Sequence, residues 1–305
     1  MTSASDPLVW LPFDPEVLGE VPDNLRLEHV DPDQLPDADE VELYVLPYRF
    51  RPADGQALAA MPRLRVVQTL SAGVEHIRGY VPEGVLLCNG RGIHDTSTAE
   101  LTVALILASL RGIPQFVHAQ ERATWAPESR ESLADKQVLI VGYGQIGAAI
   151  EARVRPFEAE VVRVARGARD GVHPIDELPD LLPYADVVVL VVPGTGETTG
   201  LFDAAMLARM KDGALLVNVS RGAVVDTDAL LTDLESRRVH AALDVVDPEP
   251  LPADHPLWQA PNLLLVPHVG GSSSAMWPRT HRLVREQLRR YAAGEPLANV
   301  VSGDY

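Results

Sequence analysis

The sequence predicts an α/β protein of two domains, each a doubly wound parallel sheet covered by helices. Three observations carry this. Short β-rich apolar runs recur with helical stretches between them, which is the pattern of parallel strands joined by helical crossovers. The runs fall into two sets separated by an apolar helix. The length of 305 residues matches two domains at roughly 100–200 residues each.

The first set covers residues 8–11, 41–46, 64–70 and 85–89, with a helix expected over 55–61 and prolines between the elements. It reads as a small flavodoxin-like α/β domain over residues 1–97. Residues 98–111 follow as an apolar helix. The second set, 137–141, 160–165, 186–192, 214–220, 240–246 and 262–266, is mostly apolar throughout, as strands buried on both faces are. These strands make a second doubly wound, Rossmann-like domain over 98–274. A last helix over 274–293 carries Arg282, Arg285, Arg289 and Arg290 on a solvated face, and residues 275–305 complete the first domain. The helices at 98–111 and 274–293 are expected to cross between the domains.

Composition narrows the function. With 46% apolar and 23% charged residues the chain is globular rather than disordered or collagen-like. The 43 acidic against 26 basic residues give a net charge of −17, which disfavours nucleic acid and anionic membranes as partners. Lys136 and Lys211 are the only lysines, so the cations are nearly all arginine, the side chain that grips carboxylates and phosphates with a planar fork. Cys88 is the sole cysteine, which excludes an intrachain disulfide and a cysteine metal cage, and no metal ligand cluster is apparent. The longest apolar run, 101–110, is half the ~20 residues of a membrane span, and the start MTSASDPLVW lacks the regions of a signal peptide. A soluble, cytoplasmic protein is expected.

Residues 137–147 read QVLIVGYGQIG, an apolar strand running into Gly142, Gly144 and Gly147 and then a helix over 145–157. The first glycine permits the tight turn, the second lets backbone N–H groups approach a pyrophosphate, and the third lets the helix pack on the strand. Gln145 and Ile146 open that helix. The second strand ends at Ala165, where NAD-binding folds usually carry an acid for the ribose hydroxyls. Arg166 and Arg169 follow instead. Without the acid a 2′-phosphate is not repelled, and Arg166, with Arg169 as a second candidate, is suited to holding it. NADP(H) is therefore expected in preference to NAD(H); the alternative is an exposed basic loop.

Three more segments place polar residues at the carboxyl ends of apolar strands, where open α/β sheets bind ligands: 217–226 (VNVSRGAVVD), 243–250 (LDVVDPEP) and 265–273 (LVPHVGGSS). Together with the glycine loop, SAGV at 71–74, STAE at 97–100, PGTGETTGL at 193–201 and GEPLANV at 294–300, they resemble the D-isomer-specific 2-hydroxyacid dehydrogenase family. The likeness covers essentially the whole chain and is nearest in character to the NADPH-dependent glyoxylate/hydroxypyruvate reductases.

The resemblance implies that Arg221, Glu249 and His268 are the catalytic trio, and the chemistry of each residue agrees. Reduction of a 2-keto acid needs a hydride at the carbonyl carbon and a proton for its oxygen. His268 is the proton donor, since imidazole exchanges protons most readily near neutrality. Glu249, between Pro248 and Pro250, orients the ring and favours the imidazolium. Arg221 pairs with the substrate carboxylate and polarises the carbonyl.

Family likeness further assigns Asp244 to the nicotinamide carboxamide, and Val192, Pro193, Val219, Ser220 and Arg221 to the ring's side of the cleft. It assigns Ser71, Ala72, Gly73 and Val74 to the substrate carboxylate through backbone N–H groups. Glu75 stands where the family commonly has aspartate. Tyr48 or Arg49 is a candidate for contact with the substrate's side chain. Trp125 lies in a region where related reductases carry a tryptophan near the active site, or it anchors a dimer loop. The site is expected to close between the domains. A homodimer is expected, with 101–110 and 112–116 as its candidate surface, the alternative being intradomain core. Two readings besides the reductase stay open. One is phosphite or other small-acid oxidation on the same fold. The other is a dinucleotide-sensing corepressor. Formate dehydrogenases of this type carry an amide in place of Glu249.

Overall fold

The computed structural model describes residues 6–48 and 52–302, so Arg49 lies outside the described residues. The chain divides into two units, one of residues 1–94 with 274–305 and one of residues 95–273.

The first unit holds strands β1 (Leu8–Leu11), β2 (Arg26–His29), β3 (Val41–Val45), β4 (Val66–Gln68) and β5 (Leu86–Cys88), with helix α1 (Pro52–Ala57) after β3. The strands pair in parallel in the order β2-β1-β3-β4-β5, the flavodoxin-like arrangement. β1 and β3 are buried along their whole lengths. β2 was not expected: its RLEH sequence lies mostly exposed at the sheet edge, where a strand needs no apolar run.

The second unit opens with α2 (Asp95–Leu110) and α3 (Ile113–Glu121). It continues with β6 (Gln137–Val141), α4 (Gln145–Val154), β7 (Glu160–Ala165), the two-residue β8 (His173–Pro174) and α5 (Leu178–Leu181). β9 (Val187–Leu190), α6 (Ala204–Leu207), β10 (Leu215–Asn218), α7 (Thr227–Glu235), β11 (His240–Leu243) and β12 (Leu263–Leu265) complete it. These strands form one parallel sheet in the order β12-β11-β10-β9-β6-β7-β8. From β6 the chain runs outward through β7 and β8, then returns to place β9 on the other side of β6. The order therefore reverses between β6 and β9, and the crevice at their carboxyl ends is the ligand position of such sheets. β9 and β10 are buried on both faces, between Leu178, Leu182 and Phe202 on one side and Ile106, Ile150 and Val154 on the other.

The chain then returns to the first unit as α8 (Met276–Ala293). Met276, Val284 and Leu288 pack against Val9, Leu11, Leu43 and Val45, while Arg282, Arg285 and Arg289 stay exposed. The buried Gln287 donates to Gln68 Oε1 on β4 at 2.7 Å and to the Ala298 carbonyl at 3.0 Å. Among the described residues no single helix is long and apolar enough to cross a membrane.

Candidate active site

The glycine loop sits in the β6/β9 crevice. Gly142 has φ +106°, and a Cβ there would lie 2.4 Å from the Val191 carbonyl oxygen; one on Gly147 would lie 2.6 Å from that of Gly142. Both positions are closed to side chains by backbone. Gly144 differs, because nothing lies within 4 Å of its Cβ position. A side chain there would fill the space before the first turn of α4, where the helix presents its unsatisfied N–H groups, Gln145 and Ile146 among the first. This cradle and helix terminus fit a dinucleotide pyrophosphate. The adjoining cavity, about 260 Å³, is lined among others by Tyr143, Arg166, Val192, Pro193 and Glu197.

Tyr143 is fixed by a cluster that the sequence did not announce. Its hydroxyl donates to the buried Glu151, and its ring lies 5.3 Å from the Arg163 guanidinium and 5.8 Å from that of Arg169. Arg163 Nε donates to Glu151 at 2.8 Å, and this hydrogen bond holds the Glu151 carboxyl below the usual carboxylate range. Burial, reinforced by Glu151, pushes the Tyr143 phenol up. Arg169 donates to the Tyr143 carbonyl, so it is engaged with the loop itself, whereas Arg166 Nε lies 3.7 Å from Glu197 Oε2.

Arg221, Glu249 and His268 follow the carboxyl ends of β10, β11 and β12, three adjacent strands. After β10, Asn218 shapes the turn: its Oδ1 accepts from Ser220 N at 3.0 Å and Ser220 Oγ at 2.7 Å, and its Nδ2 donates to the Arg221 carbonyl at 2.9 Å. Arg221 Nη1 donates to the Ser220 carbonyl at 2.7 Å. A Cβ on the next residue, Gly222, would lie 1.9 Å from the Val246 carbonyl oxygen, so the Arg221 turn and the loop leading to Glu249 touch backbone to backbone. Both peptide bonds from Asp247 and Glu249 to the prolines that follow are cis.

Asp244 directly follows β11 and is buried. Its carbonyl accepts from His268 N at 2.7 Å, its Oδ1 from Val269 N at 2.7 Å and its Oδ2 from Gly270 N at 2.9 Å. Three successive N–H groups thus converge on one residue and hold His268 at φ +51°, a left-handed conformation uncommon for a side chain other than glycine. Burial raises the Asp244 carboxyl above its ordinary range, and the two N–H donors oppose that rise. On this turn His268 Nδ1 lies 2.6 Å from Glu249 Oε1, with both side chains about half exposed. A cavity of about 370 Å³ beside the pair is walled by Val246, Leu251, Trp258 and Leu265.

In the first unit, residues 71–74 follow β4. The Leu70 carbonyl accepts from His94 Nε2 at 2.7 Å, the Ser71 carbonyl from Gly90 N at 2.7 Å and Thr69 Oγ1 at 3.0 Å, and the Gly73 carbonyl from Ser71 Oγ at 2.7 Å. The turn's carbonyls are thereby tied to internal donors. Tyr48 packs on His94 with ring centroids 5.3 Å apart, next to the same turn.

A family model described as D-isomer specific 2-hydroxyacid dehydrogenase, NAD binding domain, matches residues 103–270. The chain belongs to this family. A glyoxylate reductase of Thermofilum pendens is 33% identical over 259 residues, which are 79% of this chain and 76% of that protein. A D-3-phosphoglycerate dehydrogenase of Mycobacterium tuberculosis is 34% identical over 260 residues, 82% of this chain but 49% of the relative, so the chain spans about half that relative's length. A solved D-isomer specific 2-hydroxyacid dehydrogenase from Xanthobacter autotrophicus Py2, in complex with NADPH and MES, matches with a TM-score of 0.81 at 29% identity and covers 98% of both chains. The family is one of oxidoreductases, and the matched stretch is its NAD-binding domain.

Sequence reasoning missed Asn218, Glu197 and the Glu151–Arg163 pair. Asn218 had a readable signal, an Asn at the end of an apolar strand two residues before a turn, which is an Asx-turn pattern. The other two depend on contacts between separate elements, helix α4 with β7 and one loop with another.

Proposed function

We propose that the protein reduces a small 2-keto acid, of the glyoxylate or hydroxypyruvate kind, to the D-2-hydroxy acid, with NADPH preferred over NADH. The observation that carries this is the His268–Glu249 pair at 2.6 Å, held on a turn pinned by Asp244, with the Glu249 loop following the strand next to that of Arg221. A reduced nicotinamide dinucleotide would supply the hydride when bound. Gly142, Gly144, Gln145, Ile146 and Gly147 would hold its pyrophosphate, Arg166 the 2′-phosphate, and Val192, Pro193, Val219, Ser220 and Arg221 the ring's side. Asp244 has further lone pairs for the carboxamide.

His268, protonated and aligned by Glu249, gives its proton to the ketone oxygen. Arg221 pairs with the substrate carboxylate and stabilises charge developing on that oxygen. Ser71, Ala72, Gly73 and Val74 offer backbone N–H groups to the carboxylate. The glyoxylate reductase among the relatives and the NADPH in the Xanthobacter structure support this reading.

The acting form is a homodimer. Ile113 and Val117 on α3 are exposed, and Trp125 is 94% exposed beside an apolar groove of about 660 Å³, which suits burial against a second copy.

A panel of 2-keto acids tested with each reduced cofactor, read by loss of its absorbance, tests the activity. His268→Ala is expected to lower turnover by about 10²–10⁴-fold while NADP⁺ still binds in calorimetry. Near-normal turnover in that variant refutes the role of His268, and no turnover of any acid by the unaltered protein refutes the reductase.

A further inference from the structure

The acid missing from the end of β7 has a counterpart on the other side of the same pocket. Glu197 lies in the loop after β9 and lines the cavity with Gly142, Gly144 and Arg166. The turn that carries it is held by its neighbours. Thr198 Oγ1 donates to the Pro193 carbonyl at 2.6 Å and accepts from Thr195 N at 2.9 Å, and Gly200 N donates to the Ala223 carbonyl at 2.8 Å. From this turn Glu197 Oε2 reaches to 3.7 Å from Arg166 Nε, with both side chains mostly exposed.

We propose that Glu197 sets the balance between NADPH and NADH by competing with the 2′-phosphate for Arg166. The inference rests on the reading of Arg166 as the phosphate partner. A carboxylate this close to Arg166 neutralises part of the charge a phosphate would meet and repels the phosphate itself. Toward a ribose that keeps its 2′-hydroxyl the same carboxylate is a hydrogen-bond acceptor, the service the usual acid performs from the end of the second strand. The pocket therefore accepts both cofactors, with a preference for NADPH that is weaker than an unopposed arginine would give.

Calorimetric binding of NADP⁺ and NAD⁺ to the full chain tests this without turnover. Glu197→Gln keeps the shape and removes the charge. It is expected to tighten NADP⁺ about fivefold and to leave NAD⁺ unchanged or weakened about twofold, the scale of one solvated ion pair. The gain should shrink as salt is raised, because the opposing charge is screened. Arg166→Ala should weaken NADP⁺ alone, and unchanged melting temperatures would show that both variants fold. If Arg166→Ala weakens NADP⁺ but Glu197→Gln leaves the ratio of the two affinities unaltered, the competition is refuted while Arg166 keeps its assignment. If Arg166→Ala leaves NADP⁺ binding unaffected, both fail.

Discussion

Gly222→Ala puts a methyl group where the structure has the backbone of another loop. The added Cβ would lie 1.9 Å from the Val246 carbonyl oxygen and 2.0 Å from its carbon, and real contacts of this kind essentially never fall under 3.0 Å. One loop must therefore retreat by at least about 1 Å, and neither is a flexible side chain that could swing aside. On one side of the contact is Arg221; on the other, three residues along, is Glu249, whose position sets the His268 ring. A misplacement of ~1 Å at catalytic groups costs about 10²-fold, or roughly 2.7 kcal/mol of barrier. The expected result is a fall of that size in kcat/KM with the best 2-keto acid, with a smaller loss of NADP⁺ affinity because the glycine loop is on other strands. Gly79→Ala is the control, since nothing lies within 4 Å of its Cβ position. Its activity and melting temperature should match the unaltered protein. If Gly222→Ala retains near-normal kcat/KM, the backbone contact between Gly222 and Val246 does not position the site.

Asp244→Asn replaces one acceptor oxygen with an amide nitrogen that faces the N–H of Val269 or Gly270, donor against donor. It should lower stability by about 1–3 kcal/mol and lower kcat/KM by tenfold or more, read by thermal melting and by the cofactor assay. An unchanged melting temperature would count against the pinned turn. Glu151→Gln tests the brace behind the glycine loop. The Arg163 hydrogen bond depresses the folded Glu151 carboxyl below its ordinary value of about 4.5, so the pair stabilises the fold above that pH and loses its contribution as pH falls through the lowered value. The melting temperature of Glu151→Gln should lie below that of the unaltered protein at neutral pH, and the gap should narrow in acid. A gap that stays constant down to about pH 3 would show that the carboxylate's charge is not what stabilises the loop.

How much was legible from sequence followed a physical division. Runs such as 137–141 and 187–190 are apolar because both faces are covered, so composition alone revealed them. The edge strand Arg26–His29 is mostly exposed and the strand His173–Pro174 has two residues, so neither left an apolar signature. The helix expected over 145–157 is α-helical to Val154 and continues as a 3-10 turn over Arg155–Phe157, where Pro156 interrupts the regular hydrogen bonding. At the site, the glycines, His268 and Glu249 were proposed from motifs, which are local stretches of sequence. What Asp244 does was not, since its carboxylate acts on N–H groups 25 and 26 residues further along the chain. Glu197 was hidden for the same reason: its partner Arg166 follows a different strand.

The three candidate catalytic residues owe their spacing to the sheet rather than to the loops that carry them. β10, β11 and β12 are consecutive neighbours in register, which sets their carboxyl ends roughly 4.8 Å apart. Each turn is then fixed by contact with an adjacent strand end. Asn218 at the end of β10 accepts from Asp244 N through its carbonyl at 2.9 Å, and Asp244 directly after β11 accepts from His268 N, Val269 N and Gly270 N beyond β12. The chain of contacts runs in one direction, from the buried middle of the sheet toward its edge. A disturbance at Asn218 reaches His268 through Asp244 and, by way of the Gly222–Val246 contact, through Glu249. Rigidity at His268 is in this way borrowed from the most deeply buried strands, and the His268–Glu249 pair keeps its alignment while about half exposed.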